Sequence, residues 1–480
     1  MRKFGVQQAC PLCRTPLPPG PEKLHEEATQ LYMVVSELVR RGFASWLTLP
    51  AEAQRDLDEA ISKWRSAADE GFDLSQFALG LLLEGGRGST QNDEESTMWF
   101  KKAAEQGHPE AQPNLAVHFA SGRGVPPSNK EAIRWCLKAA EQGGAVSQSY
   151  LGYLYANSPG PVRDEEKAAQ WFRKAADQRF LEAQHNQAAA YANGLGVDRN
   201  PTEAVKWLEK AAKQGHDESQ MKLASLLENG QGVAQSSKKA AHWYKMAADQ
   251  GHALAQLSLG IMYGLGKGVP QNDVEAVRWY TKAAKQGVPD AQSNLGMQYA
   301  CGEGVAQSDK EAAKWFKKAA EQGHSEAQYH LGHMSEQGRG VPQNDKEAAR
   351  WFAKSAEQGF AAAQHFLGYL FQNGQGVVRS DKEAAKWFQK SAHQGFAEAQ
   401  YYTGTMFMNG RGVETNDKQA AHWFQKAAEQ GHPEAQYKLG ILYEEGSGVA
   451  QSDKKAAYWH KKAALQGHSG AQYSLQELSD

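Results

Sequence analysis

The sequence has few cysteines and no long apolar run. Its 480 residues include four cysteines, whereas secreted disulfide scaffolds use many more. Cys136 and Cys301 are so far apart in the chain that we expect no disulfide between them. We therefore predict a reducing compartment, the cytoplasm, with the nucleus also open. The sequence contains no stretch of about 18 consecutive apolar residues, so it predicts no membrane-spanning helix. Residues 1–10 contain no apolar segment of signal-peptide length.

The charge of the chain is balanced. Lysine and arginine together number 53, aspartate and glutamate 55, and the net charge is −2. Proteins that bind nucleic acid or anionic lipid usually carry a basic surplus on one face. The balance therefore predicts neither a nucleic-acid partner nor a membrane partner.

What the sequence does contain is a repeat of 36 residues. One column of tryptophans keeps this spacing throughout: Trp99, Trp135, Trp171, Trp207, Trp243, Trp279, Trp315, Trp351, Trp387, Trp423 and Trp459. A column of glutamines does the same: Gln76, Gln112, Gln148, Gln184, Gln220, Gln256, Gln292, Gln328, Gln364, Gln400, Gln436 and Gln472. A fixed period of this length indicates a repeat array, and its strictness leaves no room for variable insertions.

Each repeat reads as two helices, as residues 288–323 illustrate. Ala291, Leu295 and Tyr299 recur at four-residue spacing and predict one apolar face of a first helix. The second helix carries a second apolar face at helical spacing, formed by Ala312, Trp315, Phe316, Ala319 and Ala320. Gly296 lies beside Leu295, where it would allow the helices to approach closely.

The sequence also predicts where the helices begin and end. Ser308 and Glu311 have the spacing of a capping box, which begins the second helix. Gly302 and Gly304 follow the first helix, and Gly323 follows the second, because glycine tolerates the left-handed conformation that ends a helix. We expect the array to be least regular near residues 157–180, where the glycine pattern is lost.

Stacking of such pairs predicts an all-α solenoid. One helix pair cannot bury its apolar face alone, whereas stacked pairs bury it against each neighbour. About eleven full units fit between Phe72 and Gly467. A half unit that contains Trp64 precedes them, and a half unit from His468 to Asp480 caps the other end.

The repeat resembles a known family. The pattern A-Q-x-x-L-G-x-x-Y-x-x-G-x-G-V followed by D-x-x-x-A-x-x-W-x-x-K-A-A-x-x-G is similar to the Sel-1-like repeat, a relative of the tetratricopeptide repeat. Residues 291–305 with 309–323 match it well. The resemblance implies a right-handed α-α superhelix that scaffolds protein complexes, for example in ubiquitin-linked degradation or signalling, and not an enzyme. Secreted relatives linked to β-lactam binding carry a disulfide in each repeat, for which this chain lacks the cysteines.

The resemblance also implies where a partner would bind. In the tetratricopeptide relatives the first helices line a concave groove. Carried over by position, the candidate partner-binding residues lie directly after the recurring glutamine or four residues beyond that position: Tyr329, His333, His365, Tyr369, Tyr401, Tyr437 and Tyr473. Aromatic side chains with polar tips are typical of interface hot spots. The alternative is that these rings only pack between neighbouring first helices.

Other chemistry has little support. The recurring Gly-x-Gly, as at Gly266 and Gly268, lies between two helices, with no preceding strand and no third glycine at the required spacing, so it does not predict nucleotide binding. Histidines that begin repeats, such as His324, are predicted to support the turn between repeats. No catalytic or metalloprotease motif is apparent, so we predict no catalytic residue and no cofactor, apart from the zinc considered next.

The N-terminal residues differ from the repeats. Cys10-Pro11-Leu12-Cys13 resembles the last ligand pair of a RING-type zinc finger, since two thiolates at this spacing can hold one zinc ion. A RING needs eight ligands, and residues 1–9 hold neither cysteine nor histidine. Three interpretations stay open: a chain whose RING lay upstream, a remnant without zinc, or a small site completed between two chains. The first would make the protein the substrate-recognition part of a ubiquitin ligase, with partners in the ubiquitin system.

These observations divide the chain into three regions. Residues 1–20 hold the RING-like remnant and are expected to be disordered. Residues 21–58 are amphipathic and are expected to form capping helices on the first repeat. Residues 59–480 form the predicted solenoid.

Overall fold

A computed structural model describes residues 19–86 and 91–477 of the chain. Cys10 and Cys13 lie outside these residues, and the zinc prediction is therefore not examined by the structure. The described residues are helical with short connections and form no strand. No helix among them combines the length and the apolar character needed to cross a membrane. The chain divides into two compact units, one up to Gln235 and one from Ser236 onward.

The described part of the first unit contains eleven α-helices. They are α1 (Pro21–Arg40), α2 (Ala51–Asp69), α3 (Asp73–Gly85), α4 (Asp93–Glu105), α5 (Ala111–Ser121), α6 (Asn129–Glu141), α7 (Ala145–Asn157), α8 (Glu165–Asp177), α9 (Leu181–Asn193), α10 (Pro201–Lys213) and α11 (Asp217–Asn229).

The second unit continues the same alternation. Its helices are α12 (Ser237–Asp249), α13 (Ala253–Leu265), α14 (Asp273–Lys285), α15 (Pro289–Cys301), α16 (Asp309–Glu321), α17 (Ser325–Gln337), α18 (Asp345–Glu357), α19 (Ala361–Asn373), α20 (Asp381–His393), α21 (Ala397–Asn409), α22 (Asp417–Glu429), α23 (Pro433–Glu445), α24 (Asp453–Leu465) and α25 (Ser469–Glu477). Within each unit every helix packs on its neighbours in sequence, as expected of a solenoid.

The predicted helix ends are confirmed, although the capping box is only half formed: the Ser308 N–H donates to the Tyr299 carbonyl at 2.8 Å and not to the Glu311 side chain. Ser308 is the N-cap of α16, and its Oγ accepts a hydrogen bond from the backbone N–H of Glu311 at 3.3 Å. Gly302 ends α15 with φ 77°, in the left-handed region. The cap satisfies a backbone donor that a helix start otherwise leaves unpaired, and the glycine turns the chain without a Cβ clash.

In the Gly-x-Gly motifs that the structure describes, the second glycine has a role that the sequence did not indicate. A Cβ atom on Gly304 would overlap the backbone carbonyl of Asp273, the first residue of α14 in the preceding repeat. Gly340 lies in the same way against Asp309. The glycine therefore allows the loop of one repeat to rest on the second helix of the repeat before it.

The tryptophan column packs neighbouring repeats together. Trp315 of α16 is buried in a cluster with Tyr280 of α14 and Leu295 of α15. The Nζ of Lys318 lies 4.4 Å above the indole ring of Trp315 and covers its outer face. The column that is most conspicuous in the sequence is thus a structural one.

Residues 157–180 are less regular than the other repeats, as predicted. A 3₁₀ turn at Gly160–Val162 replaces the usual glycine loop. Arg179 has φ 67° and is the only residue other than glycine with a positive φ in the described ranges. Other repeats have glycine at this position, for example Gly215 with φ 97°.

The helices before the first repeat share one core with the first repeat, because Leu79 of α3 and Trp99 of α4 belong to the same cluster. Val35 of α1 and Leu57 and Trp64 of α2 are buried together. Lys63 forms an ion pair with Glu27 across the two helices, with Nζ 2.6 Å from Oε2. The predicted boundary between residues 58 and 59 falls inside helix α2. One helix therefore belongs both to the predicted capping region and to the first half repeat.

Candidate protein-interaction surface

The seven predicted partner-binding residues lie on the first helices of consecutive repeats in the second unit. Tyr329 and His333 are on α17, His365 and Tyr369 on α19, and the remaining three, Tyr401, Tyr437 and Tyr473, on α21, α23 and α25. Tyr369 and Tyr473 are exposed, and His365 is buried. The others are partly buried.

The rings that directly follow the glutamine contact the residue that begins the next first helix. The ring centroids of Tyr401 and His432 are 4.7 Å apart and the rings are stacked. Tyr437 and His468 are 4.4 Å apart. Tyr401 and Tyr437 therefore pack one first helix against the start of the next, which is the packing role that the sequence left as the alternative, whereas Tyr473 lies on α25, the last described helix.

The largest of these ring clusters surrounds Tyr329 and His333. Their centroids are 4.6 Å apart in an edge-to-face arrangement, and Phe366 of the next repeat lies 4.3 Å from His333. Burial lowers the pKa of His333 below its ordinary value, although the nearby Glu336 carboxylate acts in the opposite direction. The imidazole is neutral at pH 7, so this cluster offers an apolar and weakly polar surface.

His365 is the member of the set that a partner reaches least. Its ring packs 5.3 Å from Phe396 and 5.3 Å from Tyr402. Burial lowers the pKa of His365 to about 4. Its hot-spot role stays a prediction, while its packing contacts are evident.

The glutamine column has a structural role that sequence reasoning did not assign. The Nε2 of Gln292 donates to the carbonyl of Ala284 in the preceding repeat at 3.1 Å. Its Oε1 accepts from the Nε2 of Gln322, which ends α16 of the same repeat, at 2.8 Å. Each buried amide thus joins three helices. The second glutamine also recurs every 36 residues in the sequence, and this was the available signal.

The histidines that begin repeats support the turns, as predicted. The Nδ1 of His324 accepts from the backbone N–H of Ala327 at 3.1 Å, and its Nε2 lies 3.3 Å from Asp290 Oδ1. His432 and His468 repeat this arrangement with Glu398 and Glu434. These side chains are N-caps that also contact the preceding repeat.

One hydroxyl, imidazole and carboxylate come together in the first unit. Thr97 Oγ1 lies 2.6 Å from His118 Nδ1, and His118 Nε2 lies 3.4 Å from Glu84 Oε1. Thr97 and His118 are both buried, and the Thr97 hydroxyl also contacts the backbone carbonyls of Asp93 and Arg123. The arrangement holds two repeats together and does not present the hydroxyl to a substrate. In the described part of the chain, no three His, Cys, Asp or Glu side chains converge as a metal site.

A second candidate surface is a cleft near the start of the described chain. It is bounded by α1, α3 and the residues that lead into α5, and it has a volume of about 640 Å³. Its wall includes exposed apolar side chains of α1 and α3 and the stacked rings of Phe77 and His108, 4.6 Å apart. Burial lowers the pKa of His25, which also lines the cleft, and its Nδ1 lies 2.9 Å from Ser75 Oγ.

Comparison with family models gives one match, described as Sel1 repeat. It covers residues 73–108, 109–144, 145–180, 181–216, 217–252, 253–288, 289–324, 325–360, 361–396, 397–432 and 433–468. These eleven segments have the phase of the helix pairs described above. A search of curated proteins found no match.

Solved structures with the same architecture are similar to this chain. One is c5321 from uropathogenic Escherichia coli, a protective antigen with an SLR fold; it is 34% identical, with a TM-score of 0.75, over 87% of this chain and 90% of that one. Another is a Sel1 repeat protein from Oxalobacter formigenes, 36% identical with a TM-score of 0.54, over 65% of this chain and 90% of that one. Both agree with an α-solenoid.

Proposed function

The chain belongs to the Sel1 repeat family, and on this basis we propose that it is a cytoplasmic scaffold that binds partner proteins on the first helices of its second unit. Sel1 repeat proteins are in general scaffolds for protein interaction and are typically not enzymes. The proposal adds a location to this general role. Its site is the surface around the residues predicted from the sequence.

The observation that carries the location is the exposed ring of Tyr369 on α19, the helix that also carries the packed rings of His365 and Phe366. The side chain of Tyr369 on α19 is 36% exposed. The side chains of His333, Phe366 and Tyr402 are partly buried. A tyrosine offers apolar area and a polar tip to a partner. Neighbouring side chains that are already ordered lose little conformational entropy when a partner binds.

The proposal is tested by replacing Tyr369 and a matched residue. Tyr153 occupies the same ninth position of the repeat 145–180 and is 53% exposed. We expect Tyr369→Glu to remove the specific proteins that co-purify with the tagged full-length chain, and Tyr153→Glu to retain them. Circular dichroism should show the same helicity for both variants. Loss of the same proteins from both variants, or from neither, would contradict the proposed location.

The ubiquitin-ligase alternative depends on Cys10 and Cys13, which the structure does not describe. Nothing in the described residues favours it over the scaffold. Zinc binding and partners in the ubiquitin system therefore stay predictions from the sequence.

A further inference from the structure

The cleft at the first repeat is formed in part by a helix outside the repeats. Helix α1 ends at Arg40, and the first matched repeat begins at residue 73. Tyr32 of α1 packs against the indoles of Trp46 and Trp64, with centroids 5.7 and 5.3 Å away. These contacts hold α1 in place, so the cleft has a fixed wall.

The cleft presents apolar side chains to solvent. Met33 of α1 is exposed, and Leu74 and Leu81 of α3 are 45% and 42% exposed. Exposed apolar side chains that converge on one cleft mark an interaction site more strongly than scattered ones. The ring of Trp64 also lines the cleft, and its Nε1 has no hydrogen-bond partner among the described residues.

The charged groups of the cleft wall are acidic. Asp73 and Glu110 line it, and neither lysine nor arginine does. The lowered pKa of His25 leaves that imidazole neutral at pH 7. A cationic group on the ligand would therefore meet two carboxylates, with no lysine or arginine in the wall to repel it.

We propose that this cleft binds a peptide segment of a partner protein that presents two apolar side chains beside a lysine or arginine. The proposal rests on the scaffold function proposed above and adds a second site with its own partner chemistry. The apolar side chains cover Met33, Leu74 and Leu81, and the cation lies near Asp73 and Glu110. This combination of an apolar face and a charge of fixed sign is a common basis of peptide recognition.

The chain offers a matched control for the test. Leu254 and Ile261 occupy the repeat positions of Leu74 and Leu81 in the repeat 253–288 and are 50% and 38% exposed. Neither lines the cleft. Glutamate at either pair adds the same charge to helices of the same type, so only the location differs.

The first measurement is fluorescence anisotropy of a labelled amphipathic peptide titrated with the full-length protein. The probe is a synthetic peptide of leucine and lysine at helical spacing, about 14 residues or four turns long. We expect Leu74→Glu/Leu81→Glu to weaken binding by about tenfold or more, as the loss of central apolar contacts does. Leu254→Glu/Ile261→Glu should bind as the wild type does. Equal weakening in both pairs, or in neither, would overturn the proposal.

A charge exchange tests the predicted sign of the ligand. Glu110→Lys should weaken the leucine–lysine probe and strengthen a matched leucine–glutamate probe. Unchanged preference would show that the carboxylates do not recognise the ligand. Light scattering of the wild type supplies a further check, since a dimer that becomes monomeric in Leu74→Glu/Leu81→Glu would identify a second copy of the chain as the occupant and overturn the proposal.

The two sites can fail separately. If the cleft does not bind the peptide while Tyr369→Glu still removes specific partners, the scaffold function stands and the cleft inference fails. If the peptide binds the cleft but Tyr369→Glu changes nothing, the location on the second unit is the part that fails.

Discussion

Gly296 of α15 lies directly against the ring of Phe316 of α16. A Cβ atom on Gly296 would lie 2.8 Å from Cδ1 of that buried ring, closer than real side chains approach. Two repeats with alanine in the glycine position have a smaller residue in the ring position, since Ala116 pairs in sequence with Cys136 and Ala188 with Leu208, whereas Ala224 pairs in sequence with Tyr244. Where phenylalanine fills the ring position, the described repeats have glycine against it.

Gly296→Ala should destabilise the protein, and Phe316→Leu should relieve the loss. Overpacking of a core typically costs about 1–3 kcal/mol, against about 1 kcal/mol gained from helix propensity. We expect a net loss of roughly 1 kcal/mol or more and a favourable coupling in the double variant. Urea unfolding of the two single variants and the double variant measures it. Additive effects would show that the contact between these residues does not decide the loss.

Arg179→Gly should stabilise the repeat 145–180. Arg179 has φ 67°, a left-handed conformation that costs an L-residue roughly 1–2 kcal/mol and glycine almost nothing. We expect a gain of up to about 1 kcal/mol, because glycine also loses more entropy on folding. The reverse change at the equivalent position, Gly215→Ala, should destabilise the protein because the φ of Gly215 is 97°. No atom lies within 4 Å of the added Cβ, so the backbone conformation alone determines the loss. Thermal unfolding that moved both variants in the same direction would contradict this.

Gln292→Leu should weaken the contact between two repeats. The substitution removes the hydrogen bonds of Gln292 with the Ala284 carbonyl and the Gln322 amide, although the Ala284 carbonyl still accepts from the Gly287 N–H at 3.1 Å, and each lost hydrogen bond costs about 0.5–1.5 kcal/mol. Gln472 belongs to the same column but is exposed on the last helix, so Gln472→Leu serves as the control. Chemical denaturation should show a clear loss only for Gln292→Leu.

His365 should make stability fall in mild acid. Its folded-state pKa is about 4, mainly because of burial, against an ordinary value of 6.5, with the nearby Glu398 acting to raise it. Between these values the unfolded chain binds the proton and the folded chain does not. The contribution of neutral His365 to the free energy of unfolding is therefore complete above pH 6.5. It declines towards pH 4, by roughly 3 kcal/mol at most.

His365→Phe supplies the comparison for that pH dependence. Phe77 occupies the same repeat position, so a phenyl ring fits this kind of site. We expect the variant to lose less stability than the wild type between pH 6.5 and 4. If the free energy of unfolding fell by the same amount in both proteins between pH 6.5 and 4, the assignment to His365 would be refuted.

The architecture could be read from the sequence because the period is strict and each helix end has its own residue. Ser308 and Gly302 act where the pattern placed them. The contact of Tyr401 with His432 could not be read, because 31 positions separate them and they meet only when neighbouring repeats stack. The cleft was missed for a similar reason: α1 is not a repeat, so its position against α3 has no counterpart in the pattern.

The paired glutamines give the array a natural unit of growth. Gln292 bonds to the repeat before it and to the end of its own repeat, and to nothing farther away. If a gene gains or loses one complete 36-residue repeat, each buried glutamine of the encoded protein therefore keeps the same hydrogen-bond partners. A gain that changed the register of the residues within a repeat's helices would separate this carboxamide from its partners. Descendants of such a chain can differ in length in whole copies while each copy keeps its fold.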